Sequence, residues 1–363
     1  MSLEPTADPS AYPTARTVRA AMPADRRTRS TRLGVAIFFA NALLYIATFA
    51  GVLLIDGWGW KWLFALANGV VVSILFIIGH DANHGALTAS PRVNRLIGRL
   101  AFLPALQPPS TWILTHNRLH HAWTNLKGYD PVYTPFSKKE YDALPQWRRW
   151  LERVYRTVPG LGLMYFIEVY WKRELFPQPG HRPRNRRAFE FDRAMMIGFL
   201  LLEVVTGFAV PYGLGAPATA AAATAGLTVI VPFAIWNWIS AFVTFQHHTH
   251  PRVAWFDQRE EWAFYHGQVR GTTHVVFPLG ANLALHRIME HTAHHVDPLI
   301  PLYRLRASQD RLEEQHVPDV IVVQWTVREF LRTVAACKLY DYRAHRWMRF
   351  NGTYTSARTL PET

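Results

Sequence analysis

Four stretches of the chain run apolar for long distances before a polar residue interrupts them. Leu33 to Ile55 reads LGVAIFFANALLYIATFAGVLLI and Trp62 to Gly79 reads WLFALANGVVVSILFIIG, both without a charge. After a long mixed segment come Ala194 to Leu214, apolar apart from Glu203, and Ala216 to Phe245, which carries no charge. Runs of this length are long enough to cross about 30 Å of hydrocarbon as helices. They come in pairs, and nothing near Leu33 resembles a small-residue cleavage site, so a cleavable leader is excluded. The pattern predicts an all-α integral membrane protein with four transmembrane helices in two hairpins, over 33–55, 62–79, 194–214 and 216–245.

The remaining pattern is weaker. Residues 1–32 are Pro- and Ala-rich without periodicity and basic near their end, which predicts a mobile tail. Residues 93–114 and 161–171 mix apolar and charged positions and read as interfacial helices and turns. An apolar stripe through Val323, Val327, Phe330, Leu331 and Val334 predicts one helix over 320–342. The chain thus divides into the tail 1–32, a membrane domain over 33–303 and a cytoplasmic helical extension over 304–363.

Charge fixes the expected orientation. The formal net charge is +13. Arg16, Arg19, Arg26, Arg27, Arg29 and Arg32 precede the first run, whereas the turns within the two pairs hold one Asp with one Lys and no charge at all. The positive-inside rule therefore places both termini and the 80–193 segment in the cytoplasm, with Trp58, Trp60 and Trp62 in the opposite interfacial belt. The basic excess, including PGHRPRNRR at 179–187, then faces anionic headgroups and suits an acidic partner. Nucleic acid is excluded as a partner, because no binding motif accompanies the charge and the charge sits beside membrane spans.

Candidate chemistry sits in the histidines, of which there are 17. HDANH holds His80 and His84 at the end of the second run. HNRLHH holds His116, His120 and His121. QHHTH holds His247, His248 and His250 at the end of the fourth, and HTAHH holds His291, His294 and His295. The predicted topology brings all four groups to one membrane depth. A single ion takes about four ligands and would leave most of these imidazoles unexplained, whereas two metals with about four or five nitrogens each would use about nine. The one cysteine, Cys337, lies far from these groups, which removes Fe–S clusters and cysteine-rich zinc sites. Imidazole suits iron, copper, nickel or zinc, and ligand type alone does not choose among them. Asp81, Asp130, Asp297 and His286 stand near these groups as candidates to fix ring tautomers.

HDANHGALTASPRVN, THNRLHHAWTN, TFQHHTHPRVAWFD and HRIMEHTAHHVDPLIPLY resemble the histidine boxes of the integral-membrane fatty-acid desaturases, most of all the methyl-end (omega-6, or delta-12-type) branch. The resemblance runs from about Leu33 to Tyr303. It implies a non-haem di-iron centre in a cytoplasmic helical cap over four spans, using O2 to remove two hydrogens from an acyl chain carried on lipid, CoA or carrier protein. It implies as ligands His80, His84, His116, His120, His121, His291, His294 and His295. Aligned on QHTHP, the ninth is His248, with His247 as the alternative. No haem, flavin or ferredoxin motif is attached, so the electrons come from a separate donor, a ferredoxin or a cytochrome of b5 type. Box two departs from the branch: it reads HxxxHH where methyl-end members commonly read HxxHH, and is closer to the HNRGHH of the related membrane alkane hydroxylases. A desaturase is therefore the first expectation and a di-iron hydroxylase or related oxygenase the alternative. A transporter or non-enzymatic metal-binding protein is the third. It calls for intramembrane charges along a path, and only Glu203 lies within a run.

Overall fold

Ser30 ends the basic approach and starts the first long helix. Its hydroxyl accepts from the Leu33 N–H, satisfying one of the donors a helix start leaves bare, and the helix runs Thr31–Leu54. The computed structural model describes residues 12–177, 185–316 and 318–360. Three further long helices follow, Trp58–Asn83, Arg186–Gly213 and Ala218–His248, and all four are long and apolar enough to cross a membrane. The second extends past the expected Gly79 to Asn83 because HDAN contains no breaker; Gly85, at φ 75°, is the first residue that turns the chain away. The third begins at Arg186 and the fourth reaches His248, so each is longer at its polar end than the charge-free run. Of the basic loop 179–187, residues up to 184 lie outside the described ones.

The chain folds as two compact units whose segments interleave. One contains residues 29–114, 165–177 and 185–240 of the described chain. In it the first two long helices meet closely: a Cβ on Gly51 would fall 2.4 Å from the Phe64 ring. Asn68 Nδ2 donates to Thr48 Oγ1 at 2.8 Å, a hydrogen bond between helices of the kind that association in lipid relies on. Glu203, the one carboxylate within an apolar run, is buried and accepts from the Tyr45 hydroxyl at 2.5 Å. Its charge-bearing group is thus satisfied by a neighbouring helix. The amphipathic segment expected at 93–114 contains the helix Pro91–Phe102, capped by Ser90 with proline at its first turn.

The other unit contains residues 12–28, 115–164 and 241–360 of the described chain. Its core joins Val253, Trp255, Ile321, Cys337, Tyr340, Tyr342 and Trp347. Two small sheets correct the all-α expectation. Strand β1, Thr273–Val276, pairs in parallel with β2, Ile321–Gln324. Strand β3, Leu339–Asp341, pairs antiparallel with β4, Arg346–Met348. The helix expected over 320–342 is therefore a strand, a short helix Val327–Ala336 and another strand. Ile321, Val322 and Val323 are β-branched and lie in the ladder with β1, and the apolar stripe belongs to two structures in series. His345 is fully buried in this unit. Residues 12–28 are likewise no free tail: they form the helix Ala15–Ala20, and Arg26 and Arg27 pair with the buried Asp297.

Candidate metal centre

Box two lies in a π-helix, Ile113–His120, closed by a hydrogen bond from the His121 N–H to the His116 carbonyl at 3.0 Å. That i to i+5 step brings residues five apart onto one face. It brings His116 and His121 together, with Nε2 atoms 3.1 Å apart, and turns His120 elsewhere. His294, on the helix His291–Val296, places its Nε2 3.2 Å from that of His121. His116, His121 and His294 thus form one group.

His120 joins a second. Its ring, with those of His248, His291 and His295, offers nitrogens within 4.8 Å of one another, and all four residues are buried. His291 and His295 are one helical turn apart and so share a face. His248 reaches them from the end of the fourth long helix, its Nε2 3.1 Å from that of His291. His247 lies outside the group, its ring stacked 3.5 Å from that of His291.

What fixes these rings is the opposite nitrogen. Asp130 Oδ1 lies 2.9 Å from His120 Nδ1. Asp130 is held in turn by the Asn125 and Val132 amides, which donate to it at 2.7 and 3.1 Å. Gln268 Oε1 takes His295 Nδ1 at 2.8 Å, and the Gly271 carbonyl faces His248 Nδ1 at 3.3 Å. An acceptor on Nδ1 keeps the proton there and leaves Nε2 with its lone pair turned into the group. His295 Nε2 is buried and makes no hydrogen bond among the described residues. Burial, reinforced by the neighbouring rings, holds His291 and His295 well below the ordinary imidazole range, so both stay neutral, as a metal ligand must.

The donor set fits metal ions. With imidazole bonds of about 2.1 Å, two ligands at a right angle stand about 3 Å apart. The three facing Nε2 pairs lie at 3.1, 3.1 and 3.2 Å. Neutral rings could instead hydrogen-bond in pairs, but four converging on one space leave lone pairs with no proton to meet. The group could hold a metal ion.

His80 and His84 belong to the other unit, at the end of the second long helix. Their ring centroids are 4.6 Å apart, and Trp112 packs at 5.2 and 5.7 Å from them. Asp81 is buried between them in sequence. Of the tautomer candidates, Asp130 lies against a box histidine ring, that of His120. The Asp297 carboxylate accepts from Arg26 and Arg27, and His286 sits in a left-handed turn at φ 47°. Sequence reasoning missed Gln268, whose Nε2 also donates to the His121 carbonyl at 2.8 Å. It also missed Gly271, where a Cβ would fall 2.4 Å from the Gly267 carbonyl oxygen. Neither residue type carries a spacing signal; the π-turn Tyr265–Val269 aims the glutamine from a segment with no box.

The chain is 28% identical over 308 residues to the chloroplastic omega-6 fatty acid desaturase of Brassica napus, covering 84% of this chain and 63% of that protein. It is 27% identical over 288 residues to the sn-1 oleoyl-lipid 12-desaturase of Picosynechococcus sp., covering 78% and 77%. A third relative, 26% identical over 310 residues, is the sn-1 acyl-lipid omega-3 desaturase (ferredoxin) of Synechocystis sp., covering 82% and 79%. The chain spans about 63% of the length of the first plant relative. The fatty acid desaturase family model matches residues 56–327, which contain every box histidine and most of the sequence, and the chain belongs to that family.

Proposed function

We propose that the protein is an O2-dependent di-iron acyl desaturase of the membrane, acting on lipid-bound acyl chains. The observation that carries this reading is the buried group His120, His248, His291 and His295, with three of its four rings oriented by acceptors on Nδ1. The family membership and the names of the relatives supply the reaction class. His80, His84, His116, His121 and His294 complete a nine-histidine set for two irons. Bound there, the irons would supply the O2 chemistry that cleaves unactivated methylene C–H bonds.

The chain's own residues do the rest. Asp130, Gln268 and the Gly271 carbonyl hold the ring protons on Nδ1, and the neutral imidazoles add no negative charge to the centre. Burial keeps water from the site. The four long helices, read as two hairpins with both termini and the histidines on the cytoplasmic side, follow the arginine bias before Thr31. Electrons reach the site from a separate ferredoxin or cytochrome b5-type protein, for which a net charge of +13 favours an acidic docking face. Against a transporter reading stands the single carboxylate within the apolar runs, Glu203, which accepts a hydrogen bond from Tyr45.

Expression in a host of defined lipid composition, followed by mass spectrometry of its fatty acids, tests the proposal. Acyl chains that lack two hydrogens support it. Chains that gain one oxygen would assign a hydroxylase, the activity favoured by the HNRLHH spacing. An unchanged profile with a supplied donor would refute both.

A further inference from the structure

Asp297 directly follows the helix that carries the third histidine box, and its side chain is completely buried. A buried carboxylate is costly unless it is paired and hydrogen-bonded. Its partners come from the opposite end of the chain. Arg26 Nε donates to Oδ2 at 2.9 Å, and Arg27 Nε donates to Oδ2 at 2.8 Å and Oδ1 at 3.0 Å. Arg19 Nε donates to the Val296 carbonyl at 2.7 Å, satisfying an acceptor that the helix end would otherwise leave bare. Arg304 pairs with Asp25 at 2.5 Å and closes the same segment from outside.

The segment also lies along the element that steers His295. Tyr12 meets the His266 ring edge-on at 4.1 Å, and the Arg19 guanidinium stands 5.5 Å over Phe264. Phe264 leads into the π-turn Tyr265–Val269, which presents Gln268 to His295 Nδ1. Residues 12–28 therefore touch both the helix that carries three box histidines and the turn that orients one of them.

We propose that residues 12–28 are a strap that positions the third histidine box, with Arg19, Arg26 and Arg27 as positioning residues acting through Val296 and Asp297. The inference rests on the di-iron reading for its metal arm and on geometry alone for its second. In the strap's absence the ligand helix keeps its residues but loses three cationic ties at its end.

The test compares wild-type protein with Arg26→Ala/Arg27→Ala, Asp297→Asn and Arg26→Lys/Arg27→Lys. The first measurement is the rate at which a chelator strips iron from folded protein. Loss of an outer support of a metal ligand typically weakens binding about 10–100-fold. The first two variants are expected to release iron faster by about that factor, and the lysine pair, which keeps the charges, to recover most of the difference. Release at the wild-type rate in the alanine pair would overturn the proposal, as would faster release that the lysine pair does not slow. The second measurement, amide hydrogen exchange, needs no metal and serves if a variant folds poorly or the wild type holds no iron. Faster exchange confined to 291–296 and 265–269 supports the strap, while unchanged protection there, or loosening spread over the whole unit, overturns it. Wild-type protein devoid of iron would count against the di-iron reading and leave the exchange result to decide the strap.

Discussion

His247 and His248 stand side by side where the ligand set needs one ring. Neighbours on a helix point about 100° apart, so they cannot face one ion together. The Nδ1 atom of His248 lies against the Gly271 carbonyl and its Nε2 against His291, whereas His247 lies flat on the His291 ring. On the proposed di-iron reading, His248→Ala is therefore expected to cost one iron and all turnover. His247→Ala should retain both irons with a lower rate, because it removes only the face against which His291 rests. Iron content per chain checks this, and the reverse pattern would assign the ligand to His247. The box histidines were legible because their spacing is local. Asp130 was legible for the same reason, ten residues from His120. Gln268 was not, since a single glutamine reaching His295 from another segment leaves no trace in spacing. The arginine partners of Asp297 were not legible, because they lie about 270 residues away.

Among the elements, the apolar runs predicted the four long helices and missed mainly their polar ends, where HDAN and QHH prolong a helix that hydropathy stops. The 320–342 region failed for a physical reason: an apolar stripe records which face is buried, and a strand followed by a helix buries positions that imitate one longer helix. The π-helix Ile113–His120 was equally hidden, yet it resolves the extra residue in HNRLHH. In an α-helix, positions i and i+4 share a face. In the π-helix the shared pair is i and i+5, so one more residue leaves His116 and His121 together. Deletion of Asn117 is therefore expected to let the segment wind as an α-helix and keep most of its iron. Insertion of one alanine between Leu119 and His120 should lose it, because neither helix type aligns positions six apart. Metal analysis and circular dichroism of the two variants decide the matter; equal loss in both would show that the π-turn itself, and not the facing pair, is required.

At the scale of the whole molecule, the group of four draws His120, His248, His291 and His295 from three segments far apart in the chain. An ion bound there would tie those segments together in the folded protein and bind no comparable site in the unfolded one, so its affinity adds to stability. Chelation of the purified protein is expected to lower its melting temperature by about 10 °C, the shift that a few kcal/mol produces in a chain of this size. The His120→Ala variant should show a smaller drop on the same treatment. Thermal unfolding with and without chelator checks both, and identical melting would mean that the imidazoles satisfy one another. The same geometry has a cellular consequence. The chain has a single cysteine, Cys337, buried in the core, and so no disulfide of its own. Its cross-links would be imidazole–metal bonds, and closing such long loops restricts the unfolded chain much as a disulfide does. A disulfide depends on an oxidising compartment, whereas these, on the proposed di-iron reading, would depend on iron supply. In an iron-starved cell the newly made chain would lack its staples and pass to the proteases that remove unfolded proteins, so that its abundance follows iron before its activity does.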